Sequence, residues 1–280
     1  MRIGNLDGRL VILTDAGALD VERASEGRFA SDPQAVYQDW AGFAAWAAAA
    51  DHGGAQPFGA DRLGAPAPAP TQVFGIGLNY RDHAAESGME VPGQLSVFTK
   101  FTSCITGPFT EVALPPGGHT DWEVELVVVI GTRAWQVAEA DSWSHVAGLT
   151  VGQDISERIL QLGSKPPQFS MGKSFPGFGP TGPWLVTLDE FANPDDLELG
   201  CSINGEDVQK SRTSNLIAGV PKIIATLSET VPLLPGDIIF TGTPAGVGMA
   251  RKPPRALQPG QILESWIEGI GTIRNRCVAP

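Results

Sequence analysis

Two glutamates, Glu123 and Glu125, precede a run of apolar residues that ends at Gly131. Residues 126–130 are all apolar and four of the five are β-branched, which predicts a buried strand. Because side chains alternate between the two faces of a strand, both carboxylates point the same way. Neighbouring buried carboxylates repel each other and cost free energy to desolvate, and a divalent cation relieves both effects. The pattern predicts a metal site; the alternative is a frayed strand end with both glutamates in solvent.

Asp154 adds a third carboxylate. It follows residues 148–153, which resemble a short strand that closes in a turn. Two Glu and one Asp form an all-oxygen ligand set of the kind that Mg²⁺ and Mn²⁺ prefer. Three protein ligands leave coordination positions for water and substrate. No His or Cys occurs at a spacing typical of a zinc site.

His83 and Glu86 lie three residues apart in a predicted helix over residues 79–87. This spacing places them on one helix face, where the carboxylate fixes the tautomer of the imidazole and supports its basicity. The pair is therefore a candidate general base for water, and the alternative is a surface His–Glu pair. The glycines that flank the helix are candidate hinges of a lid: Gly75, Gly77 and Gly88.

A second predicted helix, over residues 154–162, places Asp154, Arg158 and Gln161 on one face. Arg158 has the fork geometry to hold a substrate carboxylate through two hydrogen bonds. The alternative is an Asp154–Arg158 pair on a solvated helix.

Lys173 and Thr243 lie in glycine-rich segments. Lys173 is either an active-site residue or a solvated loop lysine. Thr243 belongs to the turn over residues 241–248, which lacks the spacing of a phosphate-binding or dinucleotide-binding motif. Its backbone N–H and hydroxyl groups could cradle a carboxylate, and the alternative is a purely structural turn.

The elements that must position these residues belong to a strand-rich chain. The sequence has 280 residues with 34 Gly and 23 Pro, which favours strands and turns over long helices. A formal net charge of -12 argues against nucleic acid or an anionic membrane as partner. The three cysteines are widely separated and no signal peptide or membrane span is recognised, so a reduced cytoplasmic setting is expected.

Two parts are predicted along the chain, a small α/β module over residues 1–70 and a larger α+β domain over residues 71–280. The first contains a strand over 9–13, a helix over 33–51 and a Pro-Ala linker over 64–70. The second contains strands over 96–100, 123–130, 184–187, 197–203, 237–241 and 261–267, and a third helix over 220–229. Because no candidate site residue precedes Val73, chemistry is expected in the larger part.

These ordered segments resemble the fumarylacetoacetate hydrolase family. The resemblance runs from about Val73 to the C-terminus and rests on seven motifs in order: residues 77–86, 121–126, 154–158, 172–175, 203–206, 234–248 and 267–271. Each motif is weakly specific alone, and all of them in this order are strongly specific. The additional Asp ligand of fumarylacetoacetate hydrolase itself has no match upstream of His83, so the chain is more similar to the smaller acylpyruvate hydrolase and sugar-acid branch.

The resemblance implies a mixed β-sandwich roll, a homodimer, and Mg²⁺ or Mn²⁺ with Ca²⁺ as an alternative. It implies metal ligation by Glu123, Glu125 and Asp154. It also implies a water-activating dyad of His83 and Glu86, enolate stabilisation by Lys173, and substrate positioning by Arg158, Gln161 and Thr243.

The expected substrate is a small anionic 2,4-diketo acid of the acylpyruvate type, cleaved by water at a C–C bond into a 2-oxo acid and a carboxylic acid. An oxaloacetate-type decarboxylase and a 2-hydroxy-dienedioate isomerase are the alternatives on the same metal site. A binding protein that kept the fold without catalysis is a further alternative, which the full set of candidate ligands disfavours.

Overall fold

A computed structural model describes residues 1–86 and 93–280. Its strands are β1 (Arg2–Leu6), β2 (Arg9–Thr14), β3 (Gly17–Asp20), β4 (Leu63–Gly64), β5 (Val73–Gly77), β6 (Ser96–Thr99), β7 (Ile105–Thr106), β8 (Glu111–Ala113), β9 (Thr120–Asp121), β10 (Val124–Ile130), β11 (Val146–Gln153), β12 (Ser156–Glu157), β13 (Gly179–Val186), β14 (Glu198–Ile203), β15 (Glu206–Arg212), β16 (Ile238–Phe240), β17 (Ile262–Ile267) and β18 (Gly271–Val278).

The α-helices are short and connect or cover the strands. They are α1 (Val21–Ala24), α2 (Trp40–Ala49), α3 (Arg81–Glu86), α4 (Arg158–Leu162), α5 (Phe169–Gly172) and α6 (Val220–Ser228). Short 3-10 helices occur at Ala35–Asp39, Ala60–Arg62, Thr102–Cys104, Glu139–His145, Leu188–Glu190, Thr213–Asn215 and Gly248–Ala250. None of these helices is long and apolar enough to cross a membrane. The predicted strand-rich α+β class is confirmed.

The larger sheet carries the predicted metal strand near its centre. Its order is β3-β2-β1-β13-β11-β10-β16-β5-β6, with β4 attached to β1 and β7 attached to β13. Strand β10 pairs antiparallel with β11 on one side and with β16 on the other. The predicted strand over residues 123–130 is thus confirmed to within one residue, as β-branched residues on a buried strand require.

A second sheet, in the order β15-β14-β17-β18-β8, packs on one face of the first. The core between them contains alternate residues of β10, namely Val124, Leu126 and Val128, and residues of the second sheet such as Leu199, Leu263 and Ile273. Two sheets that share one apolar core form the sandwich expected from the resemblance.

The opposite face of β10 packs against the N-terminal segment. Val127 and Val129 belong to a cluster that also contains Tyr37 and Phe43. Strand β1 pairs with β13, so the N-terminal strands extend the sheet that carries the candidate site. The division of the chain near residue 70 stays a prediction.

The predicted helix over residues 154–162 is wrong in its first four residues. Strand β12 occupies Ser156–Glu157 and pairs with β9, and the helix begins only at Arg158. Glu157 caps it, because its carboxylate accepts hydrogen bonds from the N–H groups of Ile159 and Leu160. The helical period of the sequence is therefore overridden by a cap and by long-range strand pairing.

The prediction of hinges around α3 is only partly open to comparison. Gly75 is no hinge, because it lies inside β5 and pairs with Phe240 and Phe98 on its two sides. A Cβ atom at Gly75 would approach the Phe98 ring to 2.2 Å, so the position requires the absence of a side chain. Gly88 and the end of the predicted helix lie outside the described residues.

Candidate metal centre and active site

The three predicted metal ligands lie together where β10 begins and β11 ends. Because these strands pair antiparallel with Val124 opposite Gln153, Glu123 and Glu125 are brought beside Asp154. One carboxylate oxygen from each lies within 4.8 Å of the others. The residues are only 6%, 2% and 0% exposed, respectively. Three oxygen ligands at this spacing fit a hard divalent cation.

Lys173 lies against two of these carboxylates. Its Nζ donates to Glu123 Oε2 at 2.7 Å, to Asp154 Oδ2 at 2.5 Å and to Ser156 Oγ at 2.8 Å. Burial favours the neutral amine, but the carboxylates of Asp154 and Glu123 raise the pKa of Lys173 above its ordinary value. The alternative of a solvated loop lysine is wrong.

Lys100 is a buried residue of the site that the sequence did not predict. Its Nζ donates to Asp154 Oδ1 at 2.7 Å, to Phe178 O at 3.1 Å and to Lys173 O. Lys100 thus links one carboxylate of the cluster, Asp154, to the backbone of Lys173. The available signal was a lysine at the end of the predicted strand over residues 96–100.

Arg158 lies on the other side of Glu123 rather than in solvent. Its Nε donates to Asp121 Oδ2 at 2.8 Å, its Nη2 to Glu123 Oε1 at 2.7 Å and its Nη1 to Gln161 Oε1 at 2.8 Å. The proposed alternative, a solvated Asp154–Arg158 pair, is therefore wrong. A bidentate contact with a substrate would require Arg158 to release one of its protein partners.

Asp121 holds Arg158 in this position and was also missed as a site residue. It accepts from the N–H groups of Gly248 at 2.7 Å and Met249 at 3.0 Å in addition to Arg158.

Burial alone would raise the pKa of Glu123, but the charges of Lys173 and Arg158 lower it to about 2. Glu123 is therefore ionised at neutral pH, as a candidate metal ligand must be.

Glu125 differs from the other two carboxylates because no cationic side chain contacts it within the described residues. Its Oε2 accepts from the N–H of Gly242 at 2.7 Å. Burial, together with the nearby charges of Asp154 and Glu123, raises the pKa of Glu125 well above its ordinary value. A buried carboxylate with no cationic partner is the feature of this structure that best fits a bound cation.

Metal binding should therefore compete with a proton on Glu125. We expect Mg²⁺ affinity to increase over the pH range in which Glu125 loses its proton, which its raised pKa places above that of an ordinary glutamate, with net release of a proton on binding. Calorimetry in two buffers of different ionisation enthalpy measures the number of protons released. Binding that releases no proton, with affinity unchanged across this range, would show that Glu125 is already ionised.

The His83–Glu86 pair is formed on α3. His83 Nδ1 lies 2.8 Å from Glu86 Oε1. Because a carboxylate only accepts hydrogen bonds, Nδ1 carries a proton, and in the neutral ring Nε2 is the acceptor. The N–H of Gly246 donates to both oxygens of Glu86, at 3.1 and 2.9 Å, and so fixes the carboxylate that orients the ring.

One cavity gathers most of the predicted residues. Its polar wall contains His83, Glu123, Glu125, Arg158, Gln161, Lys173 and Thr243, and its apolar wall contains Ile76, Leu78, Phe98, Leu162, Phe169 and Met249. The cavity volume is about 60 Å³, which suits an ion or one to two waters.

The predicted substrate residues have different partners. Gln161 contacts Arg158 and keeps its own amide N–H groups available in the cavity wall. Thr243 donates its hydroxyl proton to Val124 O at 2.9 Å and accepts from Gln209 Nε2 at 2.8 Å. Gln209 is a third buried polar residue that the sequence did not predict.

Known proteins resemble this chain in sequence and in fold. Residues 72–278, which include all nine predicted site residues, match the family described as fumarylacetoacetate (FAA) hydrolase, C-terminal. The chain is 44% identical over 215 residues to the mitochondrial oxaloacetate tautomerase FAHD2A of Bos taurus, covering 76% of this chain and 68% of that protein.

Solved structures extend the similarity to the N-terminal strands. An HpcE-like protein from Mycobacterium smegmatis is 54% identical with a TM-score of 0.96, covering 100% of this chain and 99% of the other. Maleylpyruvate hydrolase from Sphingobium sp. SYK-6 is 28% identical with a TM-score of 0.83, covering 100% of both chains.

Proposed function

The chain belongs to the fumarylacetoacetate hydrolase family, and from that premise we propose that it is a divalent-metal-dependent enzyme that hydrolyses a C–C bond in a 2,4-diketo acid. The substrate class is the acylpyruvates, and the products are a 2-oxo acid and a carboxylic acid. The cation is Mg²⁺ or Mn²⁺, which oxygen ligands of this number favour.

The observation that carries this proposal is the placement of a candidate base opposite the carboxylate cluster. The imidazole of His83 lines the same cavity as Glu123 and Glu125. Its Nδ1 is occupied by Glu86 at 2.8 Å, which directs basicity to Nε2. A water between Nε2 and the substrate is therefore within reach of a base.

Glu123, Glu125 and Asp154 would hold the cation, which would supply Lewis-acid stabilisation of negative charge on the 2-oxo oxygen. His83 takes a proton from water, and the oxygen of that water adds to the C4 carbonyl carbon. The C3–C4 bond breaks with its electron pair left on C3. The proton held on His83 returns to C3, which completes a 2-oxo acid and a carboxylic acid.

Lys173 would stabilise the developing enolate from the side of Glu123 and Asp154. All three of its N–H groups have protein acceptors, so one must turn away from Ser156 to reach the substrate. Gln161 is better placed than Arg158 to donate to a substrate carboxylate, because its amide N–H groups face the cavity without other partners among the described residues.

The charge balance of the site favours an anionic substrate. Three buried cations of the site, Lys100, Arg158 and Lys173, donate to three buried carboxylates, and Glu125 is a fourth buried carboxylate of the same cluster: the other three are Asp121, Glu123 and Asp154. Three positive and four negative charges give a net charge of -1. A divalent cation makes the cluster positive by one unit, which a single substrate carboxylate neutralises.

Tautomerisation of oxaloacetate is the second candidate function. It is favoured by the 44% identity to the Bos taurus oxaloacetate tautomerase. The same metal carboxylates and the same base would serve it, with His83 moving a proton at C3 and no water consumed. The two functions differ in the product, since only hydrolysis breaks the carbon chain.

Parallel assays separate the two functions. Purified protein with Mg²⁺ is given a series of acylpyruvates, with 2-oxo acid release measured, and enol-oxaloacetate, with the loss of enol absorbance measured. We expect cleavage of at least one acylpyruvate at a rate above that of oxaloacetate tautomerisation. Rapid tautomerisation without cleavage of any acylpyruvate would replace the hydrolase by the second candidate.

A homodimer is proposed as the working form, supported by one exposed apolar surface. Six large apolar side chains, between 41% and 59% exposed, lie on or just after three elements, namely β6, α4 and α5. They are Val97 and Phe101 from β6 and the residues that follow it, Ile159, Leu160 and Leu162 from α4, and Met171 from α5. Such a patch beside a cavity fits a surface covered by a second copy.

Charge introduced into this patch should separate the dimer. Ile159→Lys is expected to convert the protein to a monomer in light scattering at micromolar concentration, because an ammonium group in an apolar interface is costly to desolvate. Trp135→Lys is the matched control, since Trp135 is 40% exposed on a different segment. A monomeric wild-type protein, or a dimeric Ile159→Lys variant, would contradict this interface.

A further inference from the structure

We propose that Gln209, on the second sheet, is a positioning residue of the metal centre: it fixes the backbone between the two metal glutamates and sets the hydrogen-bonding role of Thr243. Gln209 lies 85 residues beyond Val124 in the chain and is 3% exposed. This role of Gln209 rests on the proposed metal site and is independent of which reaction the site catalyses.

A β-bulge aims Gln209 at the site. Cys201 pairs with Gln209 and Ser202 pairs with Asp207, which leaves Val208 without a partner on β14. The extra residue breaks the alternation of side chains, so that Val208 and Gln209 are consecutive and both buried, at 5% and 3% exposure. In a regular strand, one of the two would point to solvent.

The contacts of Gln209 define the orientation of its amide. Oε1 accepts from the N–H of Val124 at 3.0 Å, and Nε2 donates to Pro244 O and to Thr243 Oγ1, both at 2.8 Å. A backbone N–H only donates and a carbonyl only accepts. The contacts with Val124 N–H and Pro244 O therefore agree on which end of the Gln209 side chain is the oxygen and which is the nitrogen. The Val124 N–H belongs to the Glu123–Val124 peptide, and Gln209 therefore holds the backbone between the two candidate ligands, Glu123 and Glu125.

A second glutamine holds the neighbouring peptide. Gln153 Oε1 accepts from the N–H of Glu123 at 2.8 Å, and its Nε2 donates to Ser265 Oγ at 2.8 Å. Two consecutive backbone N–H groups at the start of β10 are thus bound by buried amides. Groups that orient metal ligands in this way typically change metal affinity about 10–100-fold when they are removed.

Gln209 also limits the hydrogen bonds that the hydroxyl group of Thr243 can make with a molecule in the cavity. A hydroxyl has one proton and two lone pairs. The proton of Thr243 goes to Val124 O at 2.9 Å and one lone pair receives Gln209 Nε2. Only one acceptor position remains, so Thr243 can bind water or a substrate hydroxyl but cannot donate to a carboxylate.

The test compares Mg²⁺ affinity in Gln209→Leu with that in a matched control. Asn275→Leu removes another buried amide of the second sheet. Asn275 lies on β18, which β14 and β17 separate from the β15 strand of Gln209, and it donates to Thr110 O at 3.3 Å. We expect Gln209→Leu to weaken Mg²⁺ binding about 10–100-fold by calorimetry, and Asn275→Leu to leave it within about threefold. Thermal unfolding of both variants shows whether their loss of stability is comparable.

A double-mutant cycle then tests whether Gln209 acts through Thr243. It adds two variants, Thr243→Val and Gln209→Leu/Thr243→Val, and KM and kcat are measured for each. If Gln209 acts through Thr243, its effect on KM is smaller in the Thr243→Val background than in the wild type. Gln209→Asn, whose shorter amide cannot reach both sets of partners, is used if Gln209→Leu does not fold.

Wild-type Mg²⁺ affinity in Gln209→Leu or Gln209→Asn would overturn the proposal, as would an equal loss in Asn275→Leu. A wild-type protein that binds Mg²⁺ but turns over no acylpyruvate would refute the proposed function alone. The affinity comparison still decides the role of Gln209 in that case.

Discussion

Glu125→Ala is expected to abolish both Mg²⁺ binding and turnover. Glu125 is one of three buried carboxylates whose oxygens lie within 4.8 Å of one another, and two carboxylates compete poorly with water for Mg²⁺. A catalytic cation contributes several kcal/mol to transition-state stabilisation, so the loss in kcat should exceed about 10³-fold. Calorimetry for binding and a 2-oxo acid assay for turnover measure the two effects.

Two further variants show whether the effect is specific to the carboxylate of Glu125. Glu125→Gln keeps the side-chain volume and an oxygen for the N–H of Gly242, and should also lose the metal. Glu111→Ala removes an exposed carboxylate of β8 and should change neither quantity. Unchanged Mg²⁺ affinity in Glu125→Ala would remove Glu125 from the ligand set.

His83→Ala is expected to lower acylpyruvate hydrolysis by about 10²–10⁴-fold, the usual contribution of a general base. Mg²⁺ affinity should change little, because His83 is paired with Glu86 at 2.8 Å and is not one of the three clustered ligands. Metal-assisted decarboxylation of oxaloacetate, where present, should fall much less, since it requires no activated water.

The measurement is a pair of rate assays on one variant at saturating Mg²⁺, with circular dichroism to establish folding. Arg81→Ala, an exposed change on the same helix α3, is the control and should keep both rates. Equal loss of hydrolysis and decarboxylation in His83→Ala would assign His83 to substrate binding or helix closure instead of water activation.

Local patterns accounted for the parts of the site that lie within one element. Glu123 and Glu125 follow from strand alternation, and His83 and Glu86 from helical spacing, since both periods are properties of short segments. The structure brings the first pair beside Asp154 and the second pair to a hydrogen-bond distance of 2.8 Å.

Long-range pairing explains what the sequence alone did not predict. Lys100 reaches Asp154 across 54 residues, and Gln209 reaches Val124 across 85 residues. Neither contact has a periodic signature, and the bulge at Val208 even reverses the expected alternation. The residues that surround the metal ligands therefore depend on which strands become neighbours.

The N-terminal segment shows the same dependence. Its Pro-Ala linker predicted a separate module, yet β1 pairs with β13 some 180 residues away, with Ile3 opposite Leu185. Composition reports a change in local chain stiffness, whereas sheet membership depends on partners that are distant in sequence. A segment can therefore be followed by a stiff Pro-Ala stretch and still contribute strands to the main sheet.

Pyruvate or substituted 2-oxo acid release from an acylpyruvate, with and without metal, tests the proposed hydrolase most directly. The protein is assayed with Mg²⁺, after removal of the metal by EDTA, and after Mg²⁺ is restored. We expect release in the first case, none in the second and recovery in the third, because the three buried carboxylates would hold the cation that the proposed reaction uses to stabilise the enolate. Release that persists in EDTA, or no release from any acylpyruvate by Mg²⁺-loaded protein, would contradict the proposed function.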